Sequence, residues 1–93
     1  MIQSFADKPT EALSLGRRAP ELPPSIHKVA LRKLTQLEAS TTLDELRLPP
    51  GNQLEARKSD RAGQHSIRVN DQYRVCFRWN GKNAHDVEVT DYH

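Results

Sequence analysis

The sequence predicts an α+β domain in which N-terminal helices pack on one face of a twisted, mainly antiparallel sheet. In the first half of the chain, apolar residues recur at helical spacing, and after residue 63 they alternate with polar residues as in a strand. This alternation gives the sheet one apolar face, which only the helices can cover. With 93 residues and a single cysteine, we expect one domain, residues 1–93, whose core forms without a disulfide.

Proline and capping residues set the expected bounds of the helical half. After a short first strand at residues 2–5, a helix is expected to begin near Lys8, because Pro9 suits the first turn of a helix. A longer helix is expected from an N-cap at Ser25 to about Ala39. Its apolar stripe, typical of a helix packed on a sheet, consists of Ile26, Val29, Ala30, Leu34 and Leu37.

Turn signals divide the second half into short segments. Thr42 and Glu45 match a capping box, so a single helical turn is expected there. The Leu-Pro-Pro-Gly-Asn run at residues 48–52 predicts a rigid turn, whereas the charges of residues 53–63 prevent an assignment. An antiparallel meander follows. Its three expected strands lie at residues 66–70, 73–79 and 86–90.

The chain shows no signal for export or membrane insertion. Residues 1–5 lack a basic segment followed by an apolar stretch, and no run of residues is apolar enough to cross a bilayer. The lone Cys76 fits a reducing compartment. We therefore expect a soluble, cytoplasmic protein without a membrane partner.

Charge is distributed unevenly along the chain. Residues 1–46 carry six basic and six acidic side chains, residues 47–82 carry eight and three, and residues 83–93 carry only three acidic ones. A net charge of +5 in the middle segment suggests an electropositive surface for a phosphate backbone. Ordinary solvation of a charged surface is the alternative, and by charge alone it is the favoured interpretation.

Three arginines are expected on the sheet face opposite the valines. Strand alternation places Arg68, Arg74 and Arg78 there, on a solvated face where guanidinium groups can bind phosphates. The alternative is pairing with Asp86 and Glu88 across the sheet, which is favoured for Arg68 and Arg78. Arg74 lies just after a turn and is expected to face the basic loop that precedes the meander.

Two segments hold candidate groups for cleavage of RNA without a metal. In that reaction the 2′-hydroxyl attacks the adjacent phosphate, so the site needs a base, an acid and cations near phosphorus. The histidines and carboxylates show no metal-ligand spacing, and we expect neither a metal nor another cofactor. The basic loop supplies Glu55, Arg57, Lys58 and Arg61, and the tail after the last strand supplies Asp91, Tyr92 and His93.

His65 opens a strand beside the basic loop and is therefore placed where it can approach RNA. A hydrogen bond at the strand end is the favoured alternative for this residue. The predicted RNA-binding residues are therefore Arg57, Arg61, Arg68, Arg78 and His65.

Several motifs resemble one known family. They are Leu48-Pro49-Pro50-Gly51-Asn52, the stretch 54–61, the block Arg61-Ala62-Gly63-Gln64-His65-Ser66-Ile67-Arg68-Val69-Asn70, Tyr73-Arg74-Val75-Cys76-Phe77, and the terminal Asp91-Tyr92-His93. In these motifs the chain resembles the HigB toxins of the RelE/ParE superfamily, which belong to bacterial type II toxin–antitoxin systems. The likeness covers nearly the whole chain, and the combination of the arginine block with the terminal triplet is distinctive.

The resemblance implies a microbial RelE-like fold and an activity. The implied activity is that of a ribosome-dependent endoribonuclease (an mRNA interferase) that cleaves messenger RNA in the A site of the 30S subunit and so inhibits translation. The implied partners are the ribosome, the mRNA and a HigA-like helix-turn-helix antitoxin. The toxin–antitoxin complex is expected to bind operator DNA.

The resemblance also implies roles for single residues. Lys58 and Arg74 are expected to stabilise the phosphorane. Asp91 and His93 are expected to move protons, and Tyr92 is expected to stack on a base or position it.

The general base stays open among three residues. Some relatives carry a histidine where this chain has Glu55. Glu55 can replace that histidine, or the proton can pass to Asp91 or His93.

Two rival functions use the same charge distribution. The first is a ParE-like inhibitor of DNA gyrase built on the same fold, against which the terminal Asp91-Tyr92-His93 speaks. The second is a non-catalytic module whose basic face docks on ribosomal RNA or on an acidic segment of the antitoxin.

Overall fold

A computed structural model describes residues 1–58 and 61–91. Within them, two helices pack against a four-stranded antiparallel sheet of order β1-β2-β3-β4. The expected α+β fold is confirmed. The helices are α1 (Lys8–Ser14) and α2 (Pro24–Ala39), followed by two short 3₁₀ helices at Leu43–Arg47 and Pro50–Asn52. The strands are β1 (Glu55–Ala56), β2 (Gln64–Arg68), β3 (Tyr73–Asn80) and β4 (Asn83–Asp91).

The two helices begin in different ways. Asp7 caps α1, since its carboxylate accepts a hydrogen bond of 2.9 Å from the backbone N–H of Thr10. The predicted N-cap of α2 at Ser25 is wrong, because α2 already begins at Pro24 and Pro23 precedes it without a side-chain cap. Proline at the first helical position has a suitable φ and no N–H to satisfy, so the helix begins there without a capping side chain.

The helical turn predicted after Thr42 is confirmed as the first 3₁₀ helix, with Thr42 as its N-cap. The hydroxyl of Thr42 accepts a hydrogen bond of 3.3 Å from the backbone N–H of Glu45. The Glu45 carboxylate accepts hydrogen bonds from the hydroxyls of Thr41 (2.9 Å) and Thr42 (3.3 Å), and not from the backbone N–H of Thr42 as in a complete capping box. The Leu48–Pro49 peptide bond that follows is cis.

A buried polar network fixes the chain just before β1. The Lys33 ammonium donates a hydrogen bond to Oδ1 of Asn52, which is fully buried. The Asn52 amide donates in turn to Oε1 of Gln36 (2.9 Å) and to the carbonyl of Leu46 (3.1 Å). Burial lowers the pKa of Lys33, and the neighbouring charges of Arg32 and Arg68 lower it further. The second 3₁₀ helix is therefore anchored to α2.

The expected first strand at residues 2–5 forms only two isolated parallel bridges with β4. They join Ile2 to Ala84 and Phe5 to Val87. The expectation of a continuous strand is therefore not met, although the segment does lie along the sheet edge. These two bridges are parallel contacts at the edge of an otherwise antiparallel sheet.

The apolar face of the sheet and the stripe of α2 form the core. In the sheet, the buried side chains of this face include Ile67, Val75, Phe77, Val87 and Val89. From α2 they meet Ile26, Ala30, Leu34 and Leu37, as the helical spacing predicts. Val29, also expected on the stripe, packs against this core while partly exposed. No helix among the described residues is long and apolar enough to cross a membrane.

Candidate active site on the second face of the sheet

The sheet register gathers polar side chains on the face opposite the core, which we call the second face. Glu55 of β1 is paired with Ser66 of β2, Ser66 with Cys76 of β3, and Cys76 with Glu88 of β4. Residues directly opposite each other in a sheet point to the same side. These four side chains therefore form one row across all four strands.

The expectation that the second face is solvated is wrong at its centre. Ser66 and Cys76 are buried there, and Arg74 is only 5% exposed. The segment before β1 covers this part of the sheet, because the backbone carbonyl of Gln53 accepts a hydrogen bond from Nη2 of Arg74. The alternation of the strands correctly predicted which side Arg74 faces, but it carries no information about a segment that folds back over that side.

Arg74 is held in place by hydrogen bonds from two of its guanidinium nitrogens. Nε donates a hydrogen bond of 2.8 Å to the hydroxyl of Ser66, and Nη2 donates to the carbonyls of Ser66 (3.3 Å) and Gln53. Gln53 has a left-handed backbone (φ 46°) that directs its carbonyl to the arginine. A buried charge with several hydrogen bonds has a fixed orientation, as a group that stabilises a transition state requires.

The basic loop is tied to the second face by two ion pairs. Arg57 Nη1 lies 3.1 Å from a carboxylate oxygen of Glu55, and Arg61 Nη1 lies 3.1 Å from Oε1 of Glu88. Arg61 also donates a hydrogen bond of 3.2 Å to Oε1 of Gln64. The structure thus brings Glu55, Arg57 and Arg61 to the face that carries Arg74.

Lys58 lies at the outer edge of this cluster. It is exposed, and it lines a pocket of about 380 Å³ together with Glu55, Ala56 and Arg57. The pocket lies next to the ion pair of Arg57 and Glu55 and has room for a phosphate and part of a nucleotide. Ser59 and Asp60 lie outside the described residues.

The charges of this cluster act on the pKa of Cys76. Burial raises the pKa of this thiol, and the nearby charges of Arg61, Arg57 and Arg74 oppose that shift. Burial prevails, so the thiol keeps its proton and acts as a small apolar residue beneath the arginines. Cys76 is a free, buried cysteine of β3.

The two outer arginines are paired with carboxylates near them. Arg78 Nε lies 3.6 Å from Asp86, which is the cross-strand pairing expected for it. Arg68 instead pairs with Asp71 in the following turn, because that carboxylate is only three residues away. Their predicted contact with RNA is untested.

His65 lies on the core side of the sheet. It is paired with Phe77, and the two rings stack with their centroids 6.2 Å apart. Its Nδ1 is buried and has no hydrogen-bond partner among residues 1–58 and 61–91, so the favoured strand-end hydrogen bond is not found there at Nδ1. The ring therefore lies on the side of the sheet opposite Arg74, and an RNA contact of His65 stays a prediction.

Of the predicted tail, only Asp91 belongs to the described residues. It is the last residue of β4 and accepts a hydrogen bond of 2.8 Å from Nε2 of Gln72. Because it follows Val87 and Val89 at intervals of two, its side chain lies on their side of the sheet. Tyr92 and His93 lie outside the described residues, so their predicted roles are untested.

Sequence reasoning missed Ser66 and Gln53, the two residues that hold Arg74. The position of Ser66 was predictable, since strand alternation places it on the same face as Arg74 and Arg68. The role of Gln53 was not, because it depends on a left-handed backbone at a residue type that gives no signal for it. Among the residues described, no group of three or more histidine, cysteine or acidic side chains is arranged to hold a metal ion.

Comparisons with known proteins agree with the resemblance. A family described as "RelE-like toxin of type II toxin-antitoxin system HigB" matches residues 3–93. The chain belongs to this family. Toxin HigB-1 of Vibrio cholerae serotype O1 is 45% identical to this HigB-like toxin over 80 residues, which are 85% of the chain and 84% of the relative. An uncharacterized protein of Haemophilus influenzae is 34% identical over 67 residues, covering 72% of the chain and 66% of the relative.

Membership in the family assigns the chain to a biological system. It is a HigB-like toxin of a type II toxin–antitoxin system, and such a toxin implies an antitoxin as its partner. The α+β architecture of two helices on a four-stranded sheet in the described residues is consistent with the RelE-like fold.

Proposed function

We propose that this HigB-like toxin is an endoribonuclease that cleaves messenger RNA in the ribosomal A site. The observation that carries the proposal is the buried, doubly held Arg74 on the second face. It shares that face with a carboxylate, Glu55, and with the cationic side chains of Arg57 and Arg61. A fixed guanidinium among cations and next to a carboxylate matches the needs of metal-free phosphodiester cleavage.

In the proposed reaction, the RNA supplies its own nucleophile. A base removes the proton of the 2′-hydroxyl, whose oxygen then attacks the adjacent phosphorus. The bond from phosphorus to the 5′-oxygen breaks, and an acid gives that oxygen a proton. The products are a 2′,3′-cyclic phosphate on one fragment and a 5′-hydroxyl on the other. No metal ion and no cofactor takes part in the proposed steps.

Arg74 and Lys58 are the proposed stabilisers of the phosphorane. Arg74 is buried, where its interaction with the developing charge is screened less than it is in water. Lys58 is exposed at the pocket beside Glu55 and Arg57, where its chain can extend to a bound phosphate. Removing one such group typically lowers the rate by a factor on the order of 100 to 1000.

The position of Glu55 favours it over Asp91 as the proposed base. Glu55 lies in the row with Ser66 on the face of Arg74, whereas the alternation of β4 directs Asp91 to the other face. His93 is then proposed to give a proton to the leaving oxygen. Asp91, two residues earlier in the chain, is proposed to take part in that proton transfer through His93 and not by direct contact with the RNA. Tyr92 is proposed to stack on a base and position it.

Five further residues are proposed to bind RNA: Arg57, Arg61, Arg68, Arg78 and His65. Arg57 and Arg61 surround the site, whereas Arg68 and Arg78 lie farther along the strands and pair with Asp71 and Asp86. Surface ion pairs of this kind are weak, so a phosphate can replace the carboxylate at small cost.

The remaining proposals concern partners and place of action. The antitoxin is proposed to be a HigA-like helix-turn-helix protein that binds operator DNA together with the toxin. The ribosome, through its 30S A site, is proposed to hold the messenger RNA in a geometry fit for attack, which would make free RNA a poor substrate. Both proposals place the toxin in the cytoplasm.

Mapping of messenger RNA 5′ ends after induction of the toxin in cells tests the function. The chain is compared with Lys58→Ala, with His93→Ala and with Lys82→Ala, in which an exposed lysine outside the site is changed. Codon-phased cuts that are lost in the first two variants and kept in the third are expected. Growth arrest with intact messages and altered DNA supercoiling would instead identify a gyrase inhibitor. Growth arrest without message cleavage and without altered supercoiling would identify a non-catalytic binding module.

A further inference from the structure

A second cationic feature lies in the helical layer, far from the chemistry proposed above. The end of α1 and the first half of α2 enclose a groove of about 280 Å³, which we call the helix groove. Two leucines, Leu13 and Leu31, give it an apolar lining. The rest of the lining includes Arg17, Arg18, Lys28 and His27.

The cations at the helix groove have no carboxylate partners within the described part of the chain. Arg17, Arg18 and Lys28 are exposed, and none of them forms an ion pair with a residue in 1–58 or 61–91. This differs from the second face, where Arg57 and Arg61 are paired with Glu55 and Glu88. From residue 8 to residue 32 the chain carries five basic and two acidic side chains, a net charge of +3. The positive charge of the groove is therefore complementary to that of an acidic ligand.

The groove and the candidate active site lie on opposite sides of the sheet. The helices cover the face of Val75, Val87 and Val89, whereas Arg74 lies on the second face. Nε2 of His27 is not available to a ligand of the groove, since it donates a hydrogen bond of 2.9 Å to the carbonyl of Leu22. A ligand of the groove would thus contact surface that the cleavage reaction does not use.

We infer that the helix groove binds an acidic, amphipathic segment of the antitoxin. One apolar side chain of that segment packs between Leu13 and Leu31, and its flanking carboxylates pair with Arg17, Arg18 and Lys28. A protein segment fits the described lining because two leucines lie beside the cations, and a segment with one apolar and several acidic side chains matches both kinds of surface. The inference uses the family membership of the chain and is independent of the proposed nuclease activity.

Calorimetric titration of the toxin with its separately purified cognate antitoxin tests the inference. Lys28→Glu is compared with Lys82→Glu, the same change at an exposed lysine outside the groove. Lys28→Glu and, as a second variant, Arg18→Glu are each expected to raise Kd by about tenfold or more, because each turns an attraction into a repulsion. Lys82→Glu is expected to leave Kd within a factor of about two.

Two leucine variants test the apolar part of the groove. Leu31→Ala is expected to raise Kd by about tenfold. Leu15→Ala changes a leucine that is 59% exposed and lies outside the groove lining, and it is expected to have little effect. Circular dichroism of each variant establishes that a change in Kd is not a loss of fold.

Two results would overturn the inference. Equal Kd values for the chain, Lys28→Glu and Arg18→Glu would show that the antitoxin docks elsewhere. Binding of a labelled single-stranded RNA that is weakened by Lys28→Glu, with antitoxin affinity unchanged, would assign the groove to nucleic acid. Neither measurement depends on RNA cleavage, so a failure of the proposed nuclease function would not affect them.

Discussion

Nε of Arg74 donates a hydrogen bond of 2.8 Å to the hydroxyl of Ser66, and both side chains are buried. The carbonyl of the same serine accepts a second hydrogen bond from Nη2 at 3.3 Å. One residue of β2 thereby accepts hydrogen bonds from two guanidinium nitrogens, and the carbonyl of Gln53 is a further acceptor for Nη2. The orientation of Arg74 thus depends on a residue that need not touch RNA.

Replacement of that hydroxyl is expected to weaken cleavage through Arg74. In Ser66→Ala, Nε loses its partner while buried, which is expected to lower the free energy of unfolding by about 1–3 kcal/mol. Misplacement of a catalytic group by a fraction of an ångström to an ångström costs up to about 100-fold in rate. Cleavage on purified ribosomes is therefore expected to fall by about 10- to 100-fold, as measured at a temperature where the variant is folded.

Ser14→Ala is the matched control for this variant. Its hydroxyl also donates a hydrogen bond, to the carbonyl of Glu11 at 2.7 Å, but Ser14 is only half-buried and lies on α1. It is expected to cleave like the parent chain. An active Ser66→Ala variant with an unchanged rate would show that Arg74 does not need this anchor.

The ion pair of Arg61 and Glu88 is expected to hold the basic loop on the sheet. A double-mutant cycle with Arg61→Ala and Glu88→Ala is expected to give a coupling free energy of about 0.5–1 kcal/mol, since the two side chains are 31% and 27% exposed. The pair of Arg47 and Asp44 serves as the comparison. Its side chains are 67% and 85% exposed, and its coupling is expected to be near zero. Equal couplings from urea unfolding would contradict a docking role for Arg61.

Asn52 is expected to be a major determinant of stability. It is fully buried and bridges Lys33 of α2 to the carbonyl of Leu46. Asn52→Ala leaves a buried ammonium without its acceptor, so the free energy of unfolding is expected to fall by about 3 kcal/mol. Urea unfolding measures this, and the exposed Asn80→Ala is expected to change stability by less than about 0.5 kcal/mol. Similar losses in both variants would exclude a special role for the network.

The buried thiol of Cys76 is expected to make stability depend on pH in the alkaline range. Burial raises its pKa above the ordinary value of 9.0. The unfolded chain then releases the thiol proton before the folded chain does, so the contribution is fully present below pH 9 and is lost as pH rises through the higher folded pKa. The parent chain is expected to lose more stability than Cys76→Ala between pH 8.5 and about 10.5 in urea unfolding. Parallel pH profiles of the two proteins would contradict a raised pKa.

The helical stripe and the meander were predictable because they depend on local periodicity. The spacing of Ile26, Ala30 and Leu34 requires only a helix and an apolar partner surface. The turn after β2 was also predictable, since Asn70 suits a tight turn, and its side chain accepts hydrogen bonds from the N–H groups of Gln72 and Tyr73. Each of these features needs information from fewer than about 20 residues.

The covering of the second face could not be predicted in this way. Arg74 is buried because Gln53, 21 residues earlier in the chain, reaches it through a backbone carbonyl. Such a contact depends on tertiary packing and leaves no periodic signal. The two-residue strand β1 was missed for the same reason, since Glu55 and Ala56 have ordinary polar and small side chains and become a strand only by pairing with β2.

The pairing of residues 2–5 with β4 determines when this part of the fold can form during synthesis of the toxin. Ser4 and Asp86 are hydrogen-bonded although 82 residues separate them. A chain leaves the ribosome with its N-terminal residues first, so residues 2–5 have no strand to pair with until β4 has been synthesised. A contact of such long range also has a large loop-closure entropy cost, which slows folding. While the toxin is being translated, its N-terminal segment therefore stays without its β4 partner almost to the end of synthesis.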